Sequence, residues 1–257
     1  MEDLRIQIVN YKTKKYLLEC LLSIVMDLKG SSLRYSVAIL ENGSGDDLSE
    51  FDNRVSLERM EIHTLQKNLG FGGGHNYLAK QGDARYLFFL NPDTKIVKPQ
   101  TVQSLMQRVV ESRAQIIGPR LVTERGTTQK WDHGELYGWK AWLTLNSGNS
   151  YWCERKEIVP AAWVSGAALL IEKKWFDDLG GFDENFFLYK EEEELCWRLR
   201  AMGGKVVYDP TISLFHHVGV VAKKSEHLRK STDYFLQKHF RNRLGYSFFR
   251  LINRVLH

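Results

Sequence analysis

Strand-like and helix-like segments alternate through about the first 120 residues, and this alternation constrains the fold more than any other feature of the sequence. Short segments rich in β-branched and aromatic residues predict strands at 5–10, 35–40, 61–65 and 85–90. Apolar residues at helical spacing predict helices at 14–28, near 76–80 and at 101–110. Such alternation indicates the α/β class, with a mostly parallel central sheet flanked by helices on both faces.

The second half of the chain is less regular. Residues 123–157 are rich in Trp and Gly and are interpreted as a variable loop region. Further along, the spacing predicts a helix over 191–202, ended by the glycines Gly203 and Gly204. Two more strands are predicted, at 205–209 and 212–217.

Composition favours a soluble globular protein, with 43% hydrophobic and 26% charged residues among 257. The longest nearly apolar run, 159–171, is shorter than the roughly 20 residues of a membrane-spanning helix. The first residues lack the apolar segment of a secretory signal. The odd number of cysteines (Cys20, Cys153 and Cys196), without a CxxC pair, favours a reducing cytosol.

The basic charge is concentrated in a tail, residues 223–257, which we separate from a body with halves at 1–120 and 121–222. The tail carries nine Lys or Arg and two acids, against a net charge of +5 for the whole chain. Its apolar residues recur at helical spacing with arginines between them: Leu236, Phe240, Leu244, Phe248, Leu251 and Val255 with Arg241, Arg243, Arg250 and Arg254. Such a helix either lies on an anionic membrane surface or packs on the protein's own core. Nucleic acid is disfavoured as a partner because no recognised binding module accompanies the charge.

Polar clusters follow three of the predicted strands, namely Asn10-Tyr11, Glu41 to Ser44, and Asn91-Pro92-Asp93. Ligands of open α/β sheets bind beyond the carboxyl ends of the strands, so three clusters at one edge would form a cleft. Asp93 is a suitable oxygen ligand for Mg²⁺ or Mn²⁺. The alternative is that these residues only form turns, which Pro92 favours.

The glycine-rich run 70–74 would let a main chain approach a phosphate or a sugar closely. It is not a dinucleotide fingerprint, because His75 stands where GxGxxG needs its last glycine. It is not a P-loop either, because no GK[ST] follows.

Four consecutive glutamates begin the predicted helix at 191. Glu192 lies in line with the apolar stripe of that helix, which favours a role as a general base in a partly apolar cleft. Glu193 and Glu194 are predicted to project elsewhere, with Glu194 in a surface ion pair with Arg198. The alternative for the whole run is that acids stabilise the first turn of a helix. His216, at the end of the last predicted strand, is either a metal or phosphate ligand or a structural histidine.

Together these motifs resemble those of the inverting family 2 glycosyltransferases with the GT-A fold, and most closely the bacterial rhamnosyltransferase-like branch. The long segment WVSGAALLIEKKWFDDLGGFDENFFLYKEEEELCWRL is the most specific match. The others, in the family's order over roughly residues 5–220, are IVNYKTKKYLLECLLSI, ENGSGDD, NLGFGGGHNYL, FLNPDTKI and FHHVG. The resemblance implies that residues 1–222 form the GT-A domain, with a nucleotide-sugar-binding half and an acceptor half.

The resemblance also implies a role for each matching position. Glu192 takes the place of the general base and Glu191 precedes it in the acidic pair, while Asp93 and His216 would hold Mg²⁺ or Mn²⁺. The residues implied in donor binding are Asn10, Tyr11, Glu41, Asn42, Ser44, Asn68, Gly70, Phe71, Gly72, Asn76, Asn91 and Asp93. Those implied in sugar and acceptor binding are Trp163, Ser165 and Gly166. At Glu41 and Glu192 the family has aspartate, so both carboxylates are one methylene longer here.

The activity implied is single-displacement transfer of a sugar from a nucleotide-diphosphate donor to a hydroxyl of a bacterial cell-surface saccharide such as O-antigen. The branch favours dTDP-L-rhamnose, and UDP-sugars stay open. The acceptor would be a saccharide or a lipid-linked saccharide. The enzyme would be cytoplasmic, and a lipid-linked acceptor favours a peripheral position at the inner face of the cytoplasmic membrane. Because Glu41 and Glu192 differ from the family's aspartates, a catalytically inactive protein that binds a saccharide or a nucleotide-sugar is the alternative. A nucleotidyltransferase shares the broad fold, but the long segment argues against it.

Overall fold

The structure, a computed structural model, describes residues 1–57, 59–135, 151–217, 224–242 and 247. The strands are β1 (Glu2–Asn10), β2 (Tyr35–Asn42), β3 (Met60–Leu65), β4 (Ala84–Leu90), β5 (Thr94–Lys95), β6 (Ile116–Val122), β7 (His133–Glu135), β8 (Val159–Val164), β9 (Ala168–Glu172) and β10 (Val206–His216). The helices are α1 (Lys14–Leu28), α2 (Phe51–Arg54), α3 (Gly70–Ala79), α4 (Thr101–Ser112), α5 (Lys173–Asp178), α6 (Glu191–Ala201) and α7 (Lys224–Phe240).

The strands form a sheet in the order β3-β2-β1-β4-β9-β6-β10-β8-β7, with β5 paired to β10 beside this path. The four strands β3, β2, β1 and β4 are all parallel, as the alternation of the first 120 residues predicts. Strand β9 runs antiparallel between β4 and β6, and β8 and β7 extend the sheet antiparallel beyond β10. The predicted α/β class is confirmed, and the sheet is mixed in its second half.

Apolar side chains cover both faces of the sheet. On β4, Phe88 and Leu90 join the cluster that contains α1 and α4, whereas Leu87 and Phe89 join the cluster that contains α5 and α6. This division follows from the strand geometry, because successive side chains point to opposite faces. The near-continuous apolar sequence of β4 therefore reflects burial on both sides.

Helix α3 begins earlier than predicted, at Gly70 instead of near residue 76. The glycines at its start are needed for contacts within the protein. Gly70 has a φ of +76°, and a Cβ there would lie 2.2 Å from the carbonyl oxygen of Phe187. A Cβ on Gly74 would lie 2.9 Å from the side chain of Val9 on β1. These glycines therefore let the main chain of α3 lie close to its own sheet and to the segment that precedes α6.

Two other predicted boundaries are wrong. The strands predicted at 205–209 and 212–217 are one strand, β10, whose register with β6 shifts between Asp209 and Ser213. Asp209 accepts hydrogen bonds from the amide and the hydroxyl of Thr211, and this local turn bends the strand without ending it. Strand β7 lies inside the segment interpreted as a loop region, of which residues 136–150 fall outside the described part of the chain.

The described part of the tail packs on the protein. Phe235, Leu236 and Phe240 on α7 are buried against Phe186 and Trp197, so core packing is the correct alternative for the start of the predicted apolar stripe. Its other members, Leu244, Phe248, Leu251 and Val255 with Arg243, Arg250 and Arg254, lie outside the described residues. Among the helices that the structure describes, none has the length and apolarity of a membrane span.

Candidate active site

A cleft of about 600 Å³ opens at the start of helix α6, within the size range of ligand pockets in proteins. Its walls come from the ends of β4 and β10, the connection between β8 and β9, the segment before β7, and helix α7. The residues that line it are Phe71, Asn91, Gln129, Lys130, Trp131, Trp163, Ser165, Gly166, Ala167, Leu188, Tyr189, Lys190, Glu191, Glu192, Glu193, His216 and Leu228.

Glu192 lines this cleft in the first turn of α6. Its Oε2 atom is shielded from solvent and has no hydrogen-bond partner among the described residues. Burial, followed by the nearby charge of Glu193, raises the pKa of Glu192 from 4.5 to about 7. A carboxyl group with this pKa exists in both protonation states near neutral pH, as a general base requires.

Glu191 and Glu193 flank the same cleft and are both buried. Burial raises the pKa of each carboxyl group, and the charge of Glu192 adds to the effect at Glu191. Lys190 Nζ donates to Glu193 Oε1 at 2.6 Å and is itself buried. The prediction that Glu193 projects away from the site is wrong, because the segment before α6 and helix α7 enclose the whole first turn.

Glu194 is not part of a surface ion pair, contrary to the prediction. Its side chain is fully buried and contacts Arg198 at 2.7 Å, Lys238 at 2.6 Å and His239 at 3.2 Å. Lys238 and His239 belong to α7, which covers this side of α6. Despite the cost of burial, these hydrogen bonds and charges hold the pKa of Glu194 below its usual value.

Asp93 and His216 come together at the carboxyl ends of β4 and β10. Asp93 Oδ1 lies 3.4 Å from His216 Nε2, and Asn91 Nδ2 lies 3.4 Å from the same nitrogen. Carboxylate and imidazole are a donor set that suits Mn²⁺, so these residues fit the predicted cation. Within the described chain no group of three His, Cys, Asp or Glu side chains converges, so substrate or water oxygens would complete the coordination.

The residues predicted to bind the sugar and the acceptor all line the cleft. Gly166 faces the Phe71 ring, and a Cβ at this position would lie 2.9 Å from that ring and 3.7 Å from the Cβ of Glu192. The amide of Ser165 donates to the carbonyl of Asp132 at 2.9 Å. Trp163 pairs with Gly134 across β8 and β7, where glycine leaves space for the indole.

The predicted donor residues of the first two strands lie together at one sheet edge. Asn10 is the register partner of Glu41, and its Nδ2 donates to Asp46 at 2.9 Å. Glu41 accepts hydrogen bonds from the amide and hydroxyl of Ser44. Tyr11 follows Asn10 at the same edge, and the Lys12 ammonium lies 5.4 Å from its ring. Of the three polar strand ends, only that of β4 contributes to the cleft, through Asn91.

Three predicted donor-binding amides form hydrogen bonds within the protein. Asn42 bonds Asn68 Oδ1, the Gly70 carbonyl and the Leu69 amide, and thereby ties β2 to the start of α3. Asn76 bonds both the amide and the carbonyl of Phe182. Gly72, also predicted, is buried under Phe182. Donor contact by these residues stays a prediction.

Sequence reasoning missed several cleft residues, among them Gln129, Trp131, Lys190 and Leu228. Trp131 and Gln129 lie in the segment interpreted as a variable loop, where an isolated Trp beside polar residues was the available indication. Lys190 immediately precedes the glutamate run, but its burial could not be foreseen. Leu228 reaches the cleft only because α7 folds back onto α6.

The family model described as "Glycosyl transferase family 2" matches residues 6–180, and the chain belongs to this family. The matched region begins within β1, contains β2 to β9 and ends before α6, so Glu192 lies beyond it. The resemblance to the family 2 glycosyltransferases that the motifs indicated is confirmed.

Three curated relatives illustrate the similarity. A low-salt glycan biosynthesis hexosyltransferase of Haloferax volcanii is 24% identical over 95% of this chain and 75% of its own length. An N-acetylglucosaminyl-diphospho-decaprenol L-rhamnosyltransferase of Mycobacterium tuberculosis is 27% identical over 71% of this chain and 66% of its own length. An O-antigen biosynthesis protein of Myxococcus xanthus is 28% identical over 56% of this chain, which spans only 12% of that relative.

Solved structures share the fold at low sequence identity. GalNAc-T7, solved with UDP, GalNAc and Mn²⁺, superposes with a TM-score of 0.66 and 14% identity over 99% of this chain and 55% of its own. Residues 1–349 of S. aureus TarS, in complex with UDP, give a TM-score of 0.60 and 14% identity over 96% of this chain and 69% of theirs. These likenesses confirm the GT-A fold.

Proposed function

We propose that this chain transfers a hexose, L-rhamnose from dTDP-L-rhamnose, to a hydroxyl of a lipid-linked saccharide acceptor. The observation that carries the proposal is the position of Glu192 in a cleft that aromatic side chains line. Its Oε2 atom is shielded from solvent and has no hydrogen-bond partner among the described residues. Membership of the family supports glycosyl transfer, and the name of the mycobacterial relative supports L-rhamnose as the sugar that is transferred. A UDP-sugar is the alternative donor, which the UDP complexes of the structural neighbours support.

In the proposed reaction, Glu192 takes the proton of the acceptor hydroxyl while the oxygen of that hydroxyl attacks the anomeric carbon of the donor. The new bond forms opposite the bond to the donor diphosphate, which breaks and releases the nucleoside diphosphate with inversion. Asp93 and His216 would hold a divalent cation, which stabilises the negative charge of the departing diphosphate when bound. Gly166 lets the sugar-side wall approach the ring of Phe71 closely, beside Glu192.

The first experiment is donor binding by the purified protein, followed as the thermal midpoint with Mn²⁺ or with EDTA. A ligand that binds the native state raises this midpoint. We expect dTDP-rhamnose with Mn²⁺ to raise it more than UDP-glucose, UDP-galactose or UDP-N-acetylglucosamine. Loss of the Mn²⁺-dependent rise in the thermal midpoint of Asp93→Asn would support Asp93 as a ligand of the cation. No shift with any donor would contradict the proposed function.

The second experiment tests the base directly. Glu192→Gln keeps the shape of the side chain but cannot accept the proton, so we expect transfer to fall by about 10²–10⁴-fold while the donor-induced shift persists. The control is Glu111→Gln, which changes an exposed glutamate on α4 that does not line the cleft. Equal activity of the two variants would exclude Glu192 as the base.

A further inference from the structure

Trp131 has an unusual combination of exposure and backbone strain. Its side chain lines the cleft and is 46% exposed, although large apolar residues are ordinarily buried. Its φ of +69° is in the left-handed region, which a residue with a bulky side chain rarely adopts. Tyr189 and Lys190, which line the same cleft, have φ values of +70° and +73°. Strained residues that cluster at one cleft indicate a functional constraint.

The residues on both sides of Trp131 hold it in place. Gln129 donates its amide hydrogen to the Leu121 carbonyl, and its Oε1 lies 2.8 Å from His216 Nδ1. On the other side, the buried Asp132 carboxylate accepts from the Tyr208 hydroxyl at 2.7 Å and the Trp152 indole at 3.0 Å. It also lies 2.8 Å from Nδ1 of His133, which stacks on Tyr208. This frame fixes the backbone of Trp131 and presents its indole at the cleft instead of burying it.

The chemistry of the cleft that Trp131 lines matches a sugar ring. A pyranose has an apolar face of C–H groups, which an aromatic face can cover, and a rim of hydroxyl donors. Glu191 and Glu193 each have an Oε2 atom that is shielded from solvent and has no described hydrogen-bond partner, and both residues line this cleft. A carboxyl group offers an acceptor oxygen in either protonation state, so both side chains can accept from the hydroxyl groups of a sugar.

The position of Trp131 in the sheet associates it with the acceptor. Trp131 lies two residues before β7, at the opposite end of the strand order from β2 and β1, which carry the predicted donor residues Asn10 and Glu41. Its neighbour Asp132 accepts from the amide of Ser165, on the predicted acceptor wall. We propose that Trp131 is the stacking platform for the acceptor sugar and determines which saccharide is glycosylated. This inference rests on the proposed function and names a subsite of the same cleft.

The test compares Trp131→Ala, Trp131→Phe and the control Val110→Ala, which removes an exposed apolar side chain on α4. The acceptor probe is N-acetylglucosamine linked through diphosphate to a short isoprenyl chain. We expect Trp131→Ala to raise the acceptor KM about tenfold, with Trp131→Phe recovering part of the loss. Donor hydrolysis in the absence of acceptor and the donor-induced thermal shift should change much less, because the inference assigns Trp131 to the acceptor and not to the donor.

An unchanged acceptor KM in Trp131→Ala, or an equal loss of donor hydrolysis, would overturn the inference. If the wild type shows neither transfer nor hydrolysis, the proposed function fails, and saturation-transfer NMR then decides the inference separately. The NMR experiment measures binding of the same probe without turnover. Contact of the probe's sugar protons with the wild type but not with Trp131→Ala would support the subsite, and equal contact with both would overturn it.

Discussion

The pH dependence of transfer tests the arrangement of charges around Glu192. The base must be deprotonated, so kcat/KM should rise with pH to a plateau, with a midpoint set by its pKa in the free enzyme. With a pKa of about 7, about 10% of Glu192 is deprotonated at pH 6 and about 1% at pH 5. A glutamate with an ordinary pKa would be more than about 95% deprotonated at pH 6. We therefore expect roughly tenfold lower kcat/KM at pH 6 than at the plateau.

Two substitutions should move this midpoint in opposite directions. A unit charge about 7 Å away is worth about 2 kcal/mol at an effective dielectric constant of about 20, or about 1–2 pKa units. Glu193→Gln removes a negative charge that raises the pKa of Glu192, so the midpoint should fall. Lys190→Met removes a positive charge that lowers the pKa, so the midpoint should rise.

The assay is kcat/KM for the donor between pH 4.5 and 9, at saturating acceptor, for the wild type, both variants and the control Glu111→Gln. The thermal midpoint of each protein at every pH separates titration of the base from unfolding. A wild-type midpoint near pH 4.5, or shifts of Glu193→Gln and Lys190→Met in the same direction, would refute the argument that burial and these two charges set the pKa of Glu192.

Three further predictions concern stability. Glu194→Gln should lower the free energy of unfolding in urea by about 2–4 kcal/mol, because it weakens a buried charge cluster, whereas Glu226→Gln, in an exposed ion pair, should cost less than about 1 kcal/mol. Gly70→Ala should lower the free energy of unfolding by at least about 2 kcal/mol more than Gly30→Ala does. Both glycines have positive φ, but only at position 70 would the new Cβ lie 2.2 Å from a carbonyl oxygen. Equal thermal midpoints of the two variants would contradict this prediction. Burial raises the pKa of Glu191, so above pH 4.5 the native state keeps a proton that the unfolded state loses, and the free energy of unfolding falls as pH rises through the folded pKa. Glu191→Gln has no such proton to lose, so its free energy of unfolding should fall less than that of the wild type between pH 5 and 8. Equal falls would contradict the prediction.

Local patterns were sufficient to predict most of the strands and helices in the first half of the fold. Helix α1 has the predicted bounds, 14–28, because its apolar residues have helical spacing and face a core that covers one side only. The parallel strands β1, β2 and β4 follow from the alternation of elements. Because parallel neighbours end at one edge, the polar residues at their carboxyl ends could be placed together before the structure was known.

Features that depend on contacts between distant segments could not be predicted from local patterns. The start of α3 at Gly70 depends on Phe187, more than a hundred residues later, which lies where a Cβ would be. The burial of Glu194 depends on Lys238 and His239 of α7. An acidic residue four positions before Arg198 has the same local pattern in an exposed helix and in a buried one, so the pattern alone could not distinguish them.

The glutamate run shows how one composition supports different chemistry at successive positions. Successive residues of an α-helix are about 100° apart, so four of them cover the whole circumference of its first turn. An isolated helix would expose all four, and their pKa values would be similar. Here β8 lies on one side of α6 and α7 on another. Glu194 therefore faces cationic side chains and has a lowered pKa. Glu191, Glu192 and Glu193 face the cleft, where burial raises their pKa values although Lys190 bonds Glu193. The burial of this turn thus raises the pKa of Glu192 to about 7, the protonation range that a general base needs.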